Sequence, residues 1–299
     1  MRALVSTLAL LAAGCASAPP PATTRTIPEI MASATDADWR ALDPENTLYM
    51  ELPAGRVVIE LAPAFAPNHV ANVKALARQS YFDGAAIVRA QDNYVVQWSR
   101  APEDPREIIA PAQAALPAEF ARPIDATAPF TPLPDRDTYA PQIGFSEGFP
   151  IARDRREGLA WLAHCYAMVG AGRDVSIDSG GGAELYAVIG QSPRNLDRNV
   201  TLLGRIVQGV ELLSALPRGT GDLGFYESAA ERTPIRAIRV AADVPPAERT
   251  NLEIMRTESA VFQELIAARR NRRDEWYVHP QGAIGLCNVP IPIRTAGIS

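Results

Sequence analysis

The side chains able to do chemistry are few. Arg89 lies between the turn Tyr81-Phe82-Asp83-Gly84 and the run Tyr94–Gln97. A guanidinium keeps its charge at every relevant pH and can donate to a lone pair or a developing negative charge. Taken singly, an arginine in a strand reads as a surface or ion-pair residue, Tyr94 and Tyr186 as core aromatics, and Glu184 as an edge-strand carboxylate. His69 and His279 read as surface residues. The three cysteines, Cys15, Cys165 and Cys287, form no C-x-x-C pair, which argues against thiol catalysis. No metal-ligand spacing appears, and no cofactor is implied. Gly180-Gly181-Gly182 fits neither a phosphate loop nor a dinucleotide fingerprint and reads as a loop. A formal net charge of −5 over 299 residues lacks the basic surface that nucleic-acid binding requires.

Thr47–Leu52 and Arg56–Leu61 read as two strands joined by Pro53-Ala54-Gly55, a hairpin with a short turn. Pro67 opens an amphipathic helix with Val70, Val73, Leu76 and Ala77 on one face. Ala85–Ala90, Tyr94–Trp98, Glu184–Ile189, Val200–Val207 and Ile235–Val240 are further strands, and Gly209–Leu216 is a short helix. Residues 101–158 contain ten prolines and are expected to form a long irregular insertion. Asn251–Arg270 shows a helical stripe of Leu252, Met255, Ser259, Phe262 and Ile266, with Thr250 as N-cap. The run Arg269-Arg270-Asn271-Arg272-Arg273 then suits the negative end of the helix dipole. The stretch Gly285–Pro290 is expected to lie extended along the barrel. Many short strands with few helices favour a mainly β fold, an antiparallel β-barrel capped by two helices, over a doubly wound α/β sheet.

The N-terminus reads as an address. Arg2 and the apolar core Ala3–Ala13 suit a signal peptide over residues 1–14 and are too short to span a bilayer. Leu11-Ala12-Ala13-Gly14-Cys15 resembles a bacterial lipobox, which implies lipidation of Cys15 and a Pro-rich tether over residues 15–45. The expected location is exported and periplasmic, anchored to the outer membrane. In that oxidising compartment the remaining pair, Cys165 and Cys287, favours a disulfide over two buried thiols.

Five motifs in order then carry a family resemblance. They are Gly55-Arg56-Val57-Val58-Ile59-Glu60-Leu61, Ala66-Pro67-Asn68-His69-Val70-Ala71-Asn72-Val73, Tyr81-Phe82-Asp83-Gly84, Ile87-Val88-Arg89-Ala90 and Asn93-Tyr94-Val95-Val96-Gln97. Ala183–Val188, Asn195–Gly204 and Gln208–Leu213 add a second block. The chain resembles the cyclophilin-type peptidyl-prolyl isomerases over residues 46–242, most weakly from 101 to 182. Residues 243–299 form a C-terminal extension outside it, with a helix at about 251–270.

The resemblance implies that Arg89 is the catalytic arginine. It implies a proline pocket of Tyr94, Val95, Tyr186 and Leu196, with Gln97 orienting the arginine and Glu184 at the substrate-binding glutamine position. A backbone contact would come from Met168–Gly170. The implied partners are proline-containing segments of exported proteins. Several family rim residues are replaced, by Ile87, Val88, Asn195, Val200 and Leu203. The chemistry needs no nucleophile. Rotation about an X–Pro bond meets a barrier of about 18–20 kcal/mol, and an enzyme lowers it by binding the twisted amide best. The alternative is a catalytically weak or inactive cyclophilin-like binding or chaperone module for proline-containing segments.

Overall fold

The computed structural model describes residues 25–101, 103–272 and 276–297. The proposed signal peptide, Cys15, and Arg273 of the basic run lie outside the described residues.

The chain begins with α1 (Ile27–Ala32), β1 (Trp39–Ala41), β2 (Thr47–Leu52), β3 (Gly55–Leu61), α2 (Pro67–Arg78), β4 (Ala86–Ala90) and β5 (Val95–Ser99). The middle holds β6 (Arg122–Pro123), β7 (Thr131–Leu133), β8 (Gln142–Ser146), β9 (Phe149–Asp154) and β10 (Leu159–Leu162). There follow β11 (Met168–Ala171), β12 (Leu185–Val188), β13 (Leu202–Gln208), α3 (Val210–Ser214), β14 (Thr233–Pro234) and β15 (Ala237–Val240). The C-terminal part is β16 (Leu252–Met255), α4 (Ala260–Arg270) and β17 (Ile293–Thr295).

The main sheet has nine antiparallel strands in the order β14-β4-β5-β12-β11-β13-β3-β2-β15. Its edge strands are consecutive in the chain. Ile235 exchanges hydrogen bonds with Gly84 and Ala85 beside β4, while Arg236 N donates to Glu51 O on β2. One segment thus joins both edges and curls the sheet into a barrel, which removes exposed edges. The interior holds Leu48, Met50, Ile59, Ile87, Val96, Trp98, Leu185 and Leu203, all at most 0% exposed. α2 covers one end, burying the apolar stripe expected for it. His69 is also buried there, contrary to its reading as a surface residue. Its Nδ1 meets Glu119 Oε2 at 2.7 Å and its Nε2 meets Gly180 O at 3.2 Å. It therefore ties α2 to the glycine triplet.

Residues 101–158 are not irregular throughout. β6 to β10 form a second antiparallel sheet in the order β6-β10-β9-β8-β7. Pro123 and Pro132 sit in its two edge strands, where a missing N–H costs no ladder bond. Glu147 and Gly148 join β8 to β9 with both φ values positive (53° and 85°), a tight hairpin geometry matched to strand twist. Proline count alone hid this sheet.

The expected helix over 251–270 is a strand and a helix. Leu252 and Ile254 alternate inward on β16, and Ser259, in place of Thr250, caps α4 by accepting from Phe262 N at 3.1 Å. β16 pairs with β1 and β17 in a third sheet. Residues 25–45 are accordingly folded, in contrast to the tether expected there. A capping box of Thr26 and Glu29 starts α1, and Ile30 and Trp39 bury against the second core. That core fills the space between the insertion sheet, α4 and the outer face of β5 and β12. Leu286–Asn288 forms a 3-10 turn where extended chain was expected. It brings Cys287 to Cys165, and the two are disulfide-bonded with Cα atoms 5.0 Å apart.

Candidate active site

Strand alternation decides which side chains leave the barrel. On β5, Val96 and Trp98 point inward, so Val95 and Gln97 point outward. On β12, Leu185 and Ala187 point inward and Tyr186 outward. Simple alternation on β4 would send Arg89 inward with Ile87. A β-bulge between Ile87 and Arg89 prevents this: Ile87 pairs with Trp98, Arg89 with Gln97, and Ala90 with Val96. The extra residue re-aims the arginine onto the outer face.

These side chains line one cavity of about 320 Å³. Arg89, Tyr94, Val95, Gln97, Glu184, Tyr186 and Leu196 are all on its wall, joined by Gly172, Arg173 and Val200. Met168–Gly170 are not. Met168 is buried in the second core, and the Tyr186 ring lies so close to Gly170 that a Cβ there would be 2.4 Å from its hydroxyl. The backbone lining the cavity is Gly172, whose N–H donates to Glu184 O at 2.9 Å. Ile87 and Leu203 are core residues at 0% exposure, so their replacement of family rim positions takes nothing from the groove. No motif pointed to Arg173.

Arg89 is half-buried and held on three sides. Its Nε donates to Leu223 O at 2.7 Å, its Nη1 to Gln97 Oε1 at 3.1 Å, and its Nη2 to Gln91 Oε1. A guanidinium has five N–H groups, so two remain for a ligand among the described residues. Burial pulls its pKa below the ordinary value, opposed by Tyr94 and Glu184, and it remains a cation. The guanidinium also lies 5.7 Å from the Tyr94 ring and 5.2 Å from the Phe225 ring.

Glu184 makes no direct ion pair with Arg89. Gln97 stands between them, its Nε2 donating to Glu184 Oε1 while its Oε1 accepts from Arg89. The carboxylate therefore fixes which way the Gln97 amide faces. Removing this amide leaves both neighbours without their shared partner. Gln97→Leu is expected to lower kcat/KM about tenfold, in the range of a lost hydrogen bond to a charged group. A kinetic comparison with wild type checks this; an unchanged value would mean that Leu223 and Gln91 suffice to orient the arginine.

Burial is the main cause raising the Glu184 pKa above its ordinary value, with the Gln97 hydrogen bond opposing it. The folded state thus binds a proton more readily than the unfolded chain. Stability from this group is present at low pH and is lost as pH rises from the ordinary carboxylate value through the folded pKa. Glu184→Gln keeps an acceptor for Gln97 and removes the charge. Its melting temperature at pH 7 should exceed that of wild type, with the two converging towards pH 4. Equal melting curves at pH 7 would show that the buried carboxylate costs the fold nothing.

The cavity floor is fixed from behind. Asp197 Oδ1 accepts from His164 Nδ1 at 2.9 Å, and His164 Nε2 meets Tyr186 Oη at 2.9 Å. Arg194 Nε donates to Asp197 Oδ2 at 2.6 Å. Burial pushes the Asp197 carboxyl up, but the His164 hydrogen bond and the Arg194 charge outweigh it and hold the group below its ordinary range. Burial pushes the Tyr186 hydroxyl up, so it stays protonated. The ring is thereby locked as an apolar plate with its polar tip satisfied.

Fold and site together are an antiparallel barrel that carries one oriented guanidinium beside an aromatic-walled cavity on its outer face. The family model described as "Cyclophilin type peptidyl-prolyl cis-trans isomerase/CLD" matches residues 47–241. The chain belongs to that family. Among solved structures, the cyclophilin AquaCyp293 from Hirschia baltica superposes with a TM-score of 0.70 at 25% identity, over 91% of this chain and 98% of its own. Probable peptidyl-prolyl cis-trans isomerases from Brucella suis and Brucella abortus are 42% and 40% identical over 57 residues, 19% of this chain. The match spans only 29% of those relatives' length.

Proposed function

We propose that this chain is a peptidyl-prolyl cis-trans isomerase that acts on proline-containing segments of exported or envelope proteins. The observation that carries the reading is Arg89: a guanidinium fixed by three acceptors, with donors to spare, at the wall of a cavity lined by Tyr94, Val95, Tyr186 and Leu196. The proline ring occupies the apolar part of that cavity. As the X–Pro bond twists, amide resonance is lost and the prolyl nitrogen regains its lone pair. An Arg89 N–H donates to that lone pair. The interaction is absent in the planar cis and trans forms, so it lowers the barrier without tightening ground-state binding. Orientation is set in advance by Gln97, Gln91 and the Leu223 carbonyl, so little reorganisation accompanies the step.

The cellular setting is inferred from the chain itself. The apolar run before Cys15 supports export and lipid anchoring in the outer membrane. A bonded Cys165–Cys287 pair suits an oxidising compartment. The test is the cis-to-trans rate of X-Pro peptides with and without the protein, alongside metabolic labelling of Cys15 with a fatty-acid analogue in a bacterial host. Acceleration together with labelling is the expected result. No acceleration for any X residue would remove the isomerase reading, and no label would remove the anchor.

A further inference from the structure

A second segment, outside the cavity lining, also reaches Arg89. The loop from Gly219 to Tyr226 is fastened to β4 by backbone hydrogen bonds, Gly219 N to Ala90 O and Tyr226 N to Val88 O. Within it, Arg89 and Phe225 form an isolated antiparallel bridge. The loop places the Leu223 carbonyl on Arg89 Nε and the Phe225 ring 5.2 Å from the guanidinium carbon. Leu223 is 67% exposed and Phe225 40% exposed.

Two features make this more than a stray apolar pair. Leu223 has a φ of 55°, a left-handed conformation that glycine or asparagine adopts at lower cost. Large residues held in that region collect at functional sites because the surroundings must enforce them. Enforcement is visible on both sides. A Cβ on Gly224 would meet Gln91 Cα at 2.6 Å, and one on Gly219 would meet Gly224 O at 1.9 Å. The loop leaves both apolar side chains exposed and holds the Phe225 ring and the Leu223 carbonyl beside the arginine.

The geometry points to a substrate preference, resting on the isomerase reading above. Leu223 and Phe225 form an apolar shelf that receives a large apolar side chain next to the proline, on the side where the peptide passes Arg89. The occupant follows from continuity. A proline in the cavity with its nitrogen at Arg89 brings the neighbouring residue to the guanidinium, whose carbon lies 5.2 Å from the Phe225 ring. Burying an apolar side chain on this shelf is favourable, whereas a glycine leaves the shelf wet and a lysine gains nothing there.

The experiment uses peptides with one X-Pro bond in which the residues before and after proline are varied separately among Leu, Phe, Gly and Lys. kcat/KM is measured for wild type, Phe225→Ala and Leu223→Asn. The asparagine removes the apolar side chain but accepts the left-handed backbone, so it guards against misfolding of the phenylalanine variant. Wild type should favour Leu or Phe over Gly at one flank by about tenfold, mostly through KM. Both variants should bring that ratio to within about twofold. A flat wild-type series at both flanks, or an undiminished ratio in both variants, overturns the shelf. Dissociation constants for the same peptides, from calorimetry, report the preference independently of turnover. Absent turnover with the binding preference intact would therefore remove the isomerase reading and leave the shelf standing.

Discussion

Arg89→Ala is expected to lower kcat/KM on an X-Pro peptide by about 10²–10³-fold, the usual loss when one preorganised donor is taken from a charge-stabilising site. The reasoning is differential. Arg89 contacts the prolyl nitrogen only when the lone pair is free, so its removal should fall on kcat and leave KM within about threefold of wild type. Arg89→Lys should recover little. An ammonium is a point charge, whereas the Leu223, Gln97 and Gln91 acceptors are spread around a planar fork. Arg89 is half-buried, and its three acceptors lose a partner in the alanine variant, so thermal unfolding must be recorded with the kinetics. An alanine protein that is folded and retains turnover within about threefold of wild type would end the proposed mechanism.

The second large effect concerns stability. Cys165 precedes β11, and Cys287 sits in the 3-10 turn of the C-terminal segment, 122 residues later. A bridge closing a loop of that length restricts the unfolded chain by about 4–5 kcal/mol on the chain-entropy account. Replacing both cysteines with serine, or reducing the bond, should lower the melting temperature by about 8–20 °C, given roughly 2–4 °C per kcal/mol for domains of this size. The neighbouring His164 braces Tyr186 through its own hydrogen bonds. Turnover well below the transition should therefore persist while the transition moves. A shift under about 3 °C would mean that the packing of α4 and β17 holds the C-terminal segment without the bridge.

The barrel strands were legible because they rest on local patterns, and the cavity residues because the ordered motifs carry a family resemblance. Alternating apolar strands, the proline-initiated helix α2 and the ordered motifs from Gly55 to Gln97 each depend on residues close in sequence. The second sheet was not legible, since ten prolines mark residues 101–158 as broken and only the pairing of β6 to β10 shows that two of them occupy edges. Helical spacing over 251–270 misled for a related reason. Leu252 and Met255 fit a helix stripe, yet β1 and β17 offer backbone partners that make Leu252–Met255 a strand. His69 looked like a surface residue because its partners, Glu119 and Gly180, lie 50 and 111 residues away.

The site divides in the same way. The family resemblance carried by the sequence named the residues: one arginine, its glutamine, two tyrosines and a carboxylate. Their roles were settled by the fold. Alternation from Ile87 would bury Arg89 inside the barrel, and only the bulge in its pairing with β5 turns it outward. Glu184 acts on Arg89 through Gln97 because β12 lies beside β5. Leu223 and Phe225 reach the arginine from 134 and 136 positions along the chain, carried there by a loop that pairs with β4. Short-range pattern thus determines which groups exist and which strands carry them, while the face of Arg89 and the contacts between distant groups depend on strand order and register, which a linear sequence does not display.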